Sequence, residues 1–245
     1  TAFFASAPKV AAVAVLVRLC HIAFPLSATF AWQQIIMFLA VASMVVGAIG
    51  AIGQRNIKRL LAYSSIANVG FILIGLAAAS PRGVTALLVY LTVYVVMTLG
   101  SFLAVVQLRS GNGDQVEDIT ALSGLWKKRP GLAAAIAIFM FSLAGIPPLF
   151  GFWPKLMVFQ AALAANLVPL AILGALASVI GAFYYLRVIK IMMFDAPSDV
   201  EFPVAAGSGA ERGVIAIAAA YVSVFGFVFV GVLNLVATSA AASLF

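Results

Sequence analysis

The sequence is poor in charge, holds one cysteine and one histidine, and carries no carboxylate within its long apolar runs. Only 9% of its 245 residues are Asp, Glu, Lys or Arg. A soluble domain of this length needs far more polar surface to cover itself, so an aqueous globular protein is excluded. Cys20 cannot make an internal disulfide, and one thiol assembles no metal site. It is read as a small buried apolar residue. The chain has no phosphate-binding glycine loop, no dinucleotide fingerprint, no HExxH and no cysteine ligand set, so no cofactor, metal or redox centre is expected within it. Nor is there a recognisable signal peptide. The chain opens on Thr1-Ala2-Phe3-Phe4 with no methionine and no basic leader, and is expected to be one part of a longer protein.

What the sequence does have is hydrocarbon. Hydrophobic residues make up 65% of it, and the mean hydropathy is +1.19. Runs of about 20 apolar residues, the length of a bilayer crossing, recur from end to end. The expected class is all-α: a polytopic transmembrane helix bundle, a single domain over 1–245 with about seven spans. These are placed at 1–19, 32–53, 60–79, 84–108, 131–166, 167–189 and 214–237. The fifth is too long, since a straight helix over 131–166 would measure roughly 50 Å against a core of about 30 Å. It contains Leu143-Ala144-Gly145-Ile146-Pro147-Pro148, in which two prolines remove two backbone donors. One helix interrupted near 145–149 explains both length and prolines; two short spans joined by a proline turn is the alternative.

The formal net charge of +7 does not point to nucleic acid, because the charges lie in short clusters between apolar runs. With 131–166 counted once, Arg55, Lys58, Arg59, Arg109, Lys127, Lys128, Arg129, Arg187, Lys190 and Arg212 fall on one side. The positive-inside rule makes that side cytoplasmic and puts the C-terminus outside. Arg82 and Arg18 lie toward the other face.

Two lysines remain, Lys9 and Lys155, both within apolar stretches. A lysine at the centre of a membrane helix costs about 2.5–3.5 kcal/mol on insertion scales. That cost calls for a watered cavity, a counter-charge or loss of the proton, which makes ion or proton handling the leading reading. Lys155 follows the proline break by seven residues, where unpaired backbone groups need protein or water around them. Snorkelling to an interface is the alternative for each. With no acidic residue in any span, a carboxylate partner has to come from elsewhere.

Secondary polar candidates are His21, Lys58, Ser64, Ser65 and Asn68. His21 is either a relay or a polar end marker. Lys58 belongs to the basic turn Gln54-Arg55-Asn56-Ile57-Lys58-Arg59, a topology signal or a docking element. Ser64, Ser65 and Asn68 form a stripe able to line a hydrated path, or to bond their own backbone. Tyr184 and Tyr185 read as an interfacial aromatic belt. Gly47, Gly50 and Gly53 read as helix packing.

The phrases Arg55-Asn56-Ile57-Lys58-Arg59-Leu60-Leu61-Ala62-Tyr63-Ser64-Ser65-Ile66-Ala67-Asn68-Val69-Gly70-Phe71 and Leu143-Ala144-Gly145-Ile146-Pro147-Pro148-Leu149-Phe150-Gly151-Phe152-Trp153-Pro154-Lys155 resemble the antiporter-like membrane subunits of respiratory complex I. The match is closest to the N-subunit branch of bacterial proton-translocating NADH–quinone oxidoreductase and covers essentially the whole chain. The resemblance implies half of an inverted-repeat fold of fourteen helices, namely helices eight to fourteen, with the N-terminal half of the same chain missing. It implies that Lys9 and Lys155 correspond to the proton-relay lysines of helices eight and twelve. The family's helix-seven lysine and helix-five glutamate have no counterpart here. It further implies proton translocation by a non-redox subunit of a translocase in the bacterial inner membrane, multi-pass, with a periplasmic C-terminus. Partners would be sister antiporter-like subunits, small membrane subunits and lipids. NADH, FMN, iron–sulfur clusters and quinone would act elsewhere in that complex. Competing expectations are a subunit of a multisubunit cation/proton antiporter and a structural membrane subunit without its own ion path.

Overall fold

The computed structural model describes residues 2–203 and 208–244; Thr1, where the first expected span begins, and part of the loop before 214 lie outside the described residues. The chain is a helical bundle. Among the described residues the only β pairings are two isolated bridges, Asn56 with Asp118 and Arg109 with Gln115. Helix α1 (Ala2–Arg18) continues into a π turn at Leu19–Ala23 and a short 3-10 turn at Leu26–Ala28. Then follow α2 (Thr29–Ile52), α3 (Ile57–Ala77) and α4 (Pro81–Val106). A long loop carries a single turn, α5 (Leu125–Lys128). The remaining helices are α6 (Pro130–Ala144), α7 (Phe152–Ala164), α8 (Val168–Phe194), α9 (Gly209–Val222) and α10 (Val230–Ala242).

Helix starts follow local chemistry. Asn56 caps α3 by accepting from the backbone of Lys58 and Arg59. Ser80 caps α4 by accepting from Gly83 N at 3.1 Å, with Pro81 in the first turn, where no donor is lost. Ser208 and Glu211 form a capping box on α9.

Helices α2, α3, α4 and α8, with the segment Val224–Ala242, are long and apolar enough to cross a membrane. Helices α3 and α4 form the centre. Their apolar windows are 78% and 67% buried, against 33% for α2 and 17% for the last segment. Helix α4 touches α1, α3, α6, α7, α9 and α10. Small residues let α2 and α3 approach closely: Gly47 lies against the backbone of Tyr63 and Ala67, and Gly50 against the Tyr63 ring. Gly53 faces open space and takes no part in that packing. Phe30, Phe38 and Val179, each at least 70% exposed, turn hydrocarbon outward, which only lipid or another apolar chain can cover.

The fifth apolar stretch is interrupted. Helices α6 and α7 have 15 and 13 residues, and neither alone spans a core of about 30 Å. The seventh stretch departs from expectation. In place of a continuous span over 214–237, α9 ends at Val222, a 3-10 segment occupies Val224–Phe229, and α10 resumes at Val230. No proline marks this second break. At it, Gly226 sits so close to the Phe150 ring and to Tyr221 O that no side chain would fit there.

Candidate functional site

Helix α6 stops because Gly145 takes the left-handed conformation, φ 77°, which costs a glycine little. Gly145 N and Ile146 N turn back to Phe141 O at 3.2 Å each. That closure satisfies an earlier carbonyl and leaves those of Leu143 and Ala144 to find another donor. Lys155, the fourth residue of α7, supplies it. Its Nζ donates to Ala144 O at 2.9 Å, Leu143 O at 3.3 Å and Ser178 Oγ of α8 at 3.3 Å. The ammonium also lies 4.7 Å from the centroid of the Phe71 ring. Lys155 is 5% exposed. A cation at the carbonyl end of a helix is favoured by the helix dipole, and the aromatic face adds to it. Both offset the cost of burial.

Three further groups at this break find partners. Phe150 N donates to Val222 O at 3.0 Å, Ser142 Oγ donates to the same carbonyl at 3.2 Å, and Gly151 N donates to Ser142 Oγ at 3.0 Å. The end of α9 is thus tied to the interruption between α6 and α7.

A second cluster gathers along α3. The half-buried Lys9 reaches from α1 to Ser65 Oγ and stands 5.8 Å from the Tyr94 ring centroid. Ser65 Oγ pairs with Tyr94 OH at 2.7 Å. One residue earlier, Ser64 Oγ bonds Tyr185 OH of α8. Asn68 Nδ2 donates to Ser64 O at 2.8 Å, and its Oδ1 accepts from Tyr90 OH at 2.9 Å. All of these side chains except Lys9 are nearly fully buried. The expected stripe of Ser64, Ser65 and Asn68 is therefore a junction between α1, α4 and α8 rather than a set of hydroxyls bonded to their own helix. Phe71, three residues beyond Asn68 on the same helix, is the residue whose ring the Lys155 ammonium faces.

Two candidates stand apart. His21 bonds Val17 O through Nδ1 at 3.1 Å and packs on the Trp32 ring, with centroids 5.5 Å apart. Lys58 pairs with Glu117 at 2.7 Å and with Gln115 Oε1 at 2.7 Å, clasping the 109–124 loop onto the start of α3. The bonds from Lys58, and then Asn56, hold the Glu117 carboxyl below its ordinary range. Thr120, through hydroxyl and backbone, does the same for Asp118. Lys58 accordingly clasps a loop, apart from the buried cluster along α3.

Five polar residues in and beside the two clusters escaped the sequence. Tyr184 and Tyr185, read as an interfacial belt, are 1% and 2% exposed, so that reading is overturned. Tyr90 and Tyr94 stand four apart on one face of α4, a spacing that was visible but indistinguishable from ordinary core. Ser178 is the lone serine of the apolar α8, with nothing in its neighbours to mark it. Among the described residues neither Lys9 nor Lys155 meets a carboxylate, and no three His, Cys, Asp or Glu side chains gather to hold a metal ion. Cys20 is buried. The residues present do not fit an iron–sulfur cluster.

Comparison with known proteins adds the following. The family model described as NADH:quinone oxidoreductase/Mrp antiporter, transmembrane, matches residues 1–181. The chain is 58% identical over its whole length to NADH-quinone oxidoreductase subunit N of Sphingopyxis alaskensis, covering 51% of that protein. A chain of an archaeal respiratory membrane complex, the membrane-bound sulfane sulfur reductase, superposes with a TM-score of 0.87 at 26% identity, over 100% of this chain and 49% of that one. A chain of respiratory complex I from Thermus thermophilus superposes at 0.73 with 28% identity, over 89% and 46%. The chain spans about half the length of the curated relatives it matches.

Proposed function

Because the chain belongs to the NADH:quinone oxidoreductase/Mrp antiporter transmembrane family, we propose that it carries protons across a bacterial inner membrane as part of an antiporter-like subunit of NADH–quinone oxidoreductase. The single observation that carries this reading is Lys155, an amine buried at a helix break on two carbonyls and a hydroxyl, with no carboxylate beside it among the described residues. An ammonium held by neutral acceptors keeps its proton less firmly than one in an ion pair, so it can yield that proton when a neighbouring charge arrives. Lys9 has the same character, with Ser65 and Tyr94 as hydroxyls that can both receive and release a proton.

In this reading the protonations of Lys9 and Lys155 alternate. Hydroxyls and transient water link them past Phe71, and no electron passes through the chain. Redox chemistry on NADH, FMN, iron–sulfur clusters and quinone belongs to other subunits of the complex. The partners are those subunits, the other half of this protein and lipid. The loops after α2, α4 and α8 face the cytoplasm and the C-terminus faces the periplasm.

The test uses the full-length protein in its assembled complex. Lys9→Met and Lys155→Met, made separately, are assayed for NADH–quinone turnover and for proton uptake into membrane vesicles. Loss of uptake with the complex assembled is the expected result. Undiminished uptake in both variants would leave a structural role in its place, and uptake driven by a sodium gradient without NADH would favour the cation/proton antiporter.

A further inference from the structure

A cavity of about 360 Å³ opens where the end of α4 meets the beginnings of α6 and α9. Its lining changes character along its depth. Arg129, just before α6, and Arg212, in the first turn of α9, stand at the loop end. Leu132, Ala135, Ile215 and Ala216 continue it along the apolar lengths of the same two helices. Arg129 is 8% exposed, and its one side-chain hydrogen bond among the described residues runs from Nη1 to Gln107 O at 3.0 Å. The rest of its guanidinium fork has no protein acceptor there.

Nor does either arginine have a carboxylate within ion-pair distance among the described residues. Glu211, next to Arg212 in the chain, turns its Oε2 to Ser208 N at 3.2 Å and Gln107 Nε2 at 3.5 Å, completing the helix cap. Lys128 gives its ammonium to the carbonyls of Ser198 and Val200. Burial, and then the charge of Arg212, pushes the Arg129 guanidinium below its ordinary value. Two like charges sharing one cavity are relieved by an anion that accepts from both, and guanidinium forks suit phosphate. The apolar continuation asks for hydrocarbon, and α9 presents Val214 and Ile217, 51% and 72% exposed, to the same surroundings.

We propose that this cavity holds an anionic phospholipid, its phosphate between Arg129 and Arg212 and an acyl chain along Leu132, Ala135, Ile215 and Ala216. The site is independent of the lysine path, and its test does not read proton uptake.

A photoreactive benzoyl-phenylalanine replaces Ala216 in the full-length protein, and the assembled complex is placed in nanodiscs of phosphatidylcholine with a small fraction of phosphatidylglycerol. Adducts are identified by mass. Each arginine near a headgroup layer favours an anionic lipid by a factor of about five, so the ratio of phosphatidylglycerol to phosphatidylcholine in the adduct is expected to be about twenty-five times the bulk ratio. Arg212→Gln, an exposed position whose loss leaves the helix cap intact, brings the enrichment down to about fivefold. Adducts at the bulk lipid ratio in both proteins overturn the proposal. So does an adduct to another polypeptide, which would mean a subunit covers the cavity. Loss of the lipid adduct on adding inorganic phosphate alone would assign the site to a free anion instead.

Discussion

Arginine at position 155 separates a proton carrier from a structural plug. Lys155 Nζ satisfies the carbonyls of Ala144 and Leu143, at 2.9 and 3.3 Å, that the end of α6 leaves open. Methionine is close to lysine in shape and takes that donor away. A buried acceptor left unpaired costs about 1–3 kcal/mol. Removing a buried charge returns an amount of the same order, so Lys155→Met is expected to assemble with little net loss. Lys155→Arg keeps both charge and donors but adds bulk in a crowded corner, since a β-carbon on Gly145 would already lie 2.9 Å from Nζ. Overpacking there costs about 1–3 kcal/mol. The decisive difference is chemical: a guanidinium does not release its proton in a protein. If Lys155 only plugs the helix end, Lys155→Arg transports normally wherever it assembles. If it relays protons, both variants lose uptake by about a hundredfold or more while folded, the scale of a missing acid–base group. The assay is proton uptake per quinone reduced in vesicles, normalised to assembled complex. Parent-level uptake by the arginine variant would refute the argument.

Tyr94→Phe removes one member of the Ser65–Tyr94 pair at a stability cost of about 1 kcal/mol, and is expected to slow proton uptake while leaving assembly unchanged; stopped-flow uptake in vesicles checks it. Gly145→Ala forces an alanine to φ 77°, costing about 1–2 kcal/mol, and crowds the Lys155 amine off Ala144 O. Its melting temperature should fall by a few degrees and its uptake by considerably more. The Lys58–Glu117 clasp has a definite sign with pH. The Glu117 carboxyl is depressed from 4.5, so its contribution is present above that value and is lost as pH falls through the lower folded value. Hydrogen exchange of the 109–124 loop should therefore rise in acid, and Glu117→Gln should flatten the dependence; an unchanged profile would remove the clasp.

The first break was legible because its cause is local: Gly145, Pro147 and Pro148 announce it in any surroundings. The second was not, because nothing in Ser223-Val224-Phe225-Gly226-Phe227 itself marks a break, and the Phe150 ring beside Gly226 comes from elsewhere in the chain. The same contrast holds at the site. Lys9 and Lys155 stand out since charge in hydrocarbon is costly wherever it falls. Tyr185 does not, since a tyrosine near a helix end is equally at home among headgroups or against Ser64, and only a contact 121 residues away in the chain decides. The Lys58 clasp was hidden for the converse reason: its acid partner, Glu117, lies in a loop whose path the sequence does not reveal.

Val222 O is a rivet joining two helices that are each cut in mid-course. Both Phe150 N and Ser142 Oγ hang from that one oxygen, and Phe150 stands two residues ahead of α7. Any tilt of α9 thus tugs at the root of the short helix bearing Lys155, and a rearrangement around that amine is felt in turn by the outlying α9–α10 pair. A pressure applied by a neighbour at this periphery would arrive at the amine as a change in how well two carbonyls are served, with no rotation of the central helices.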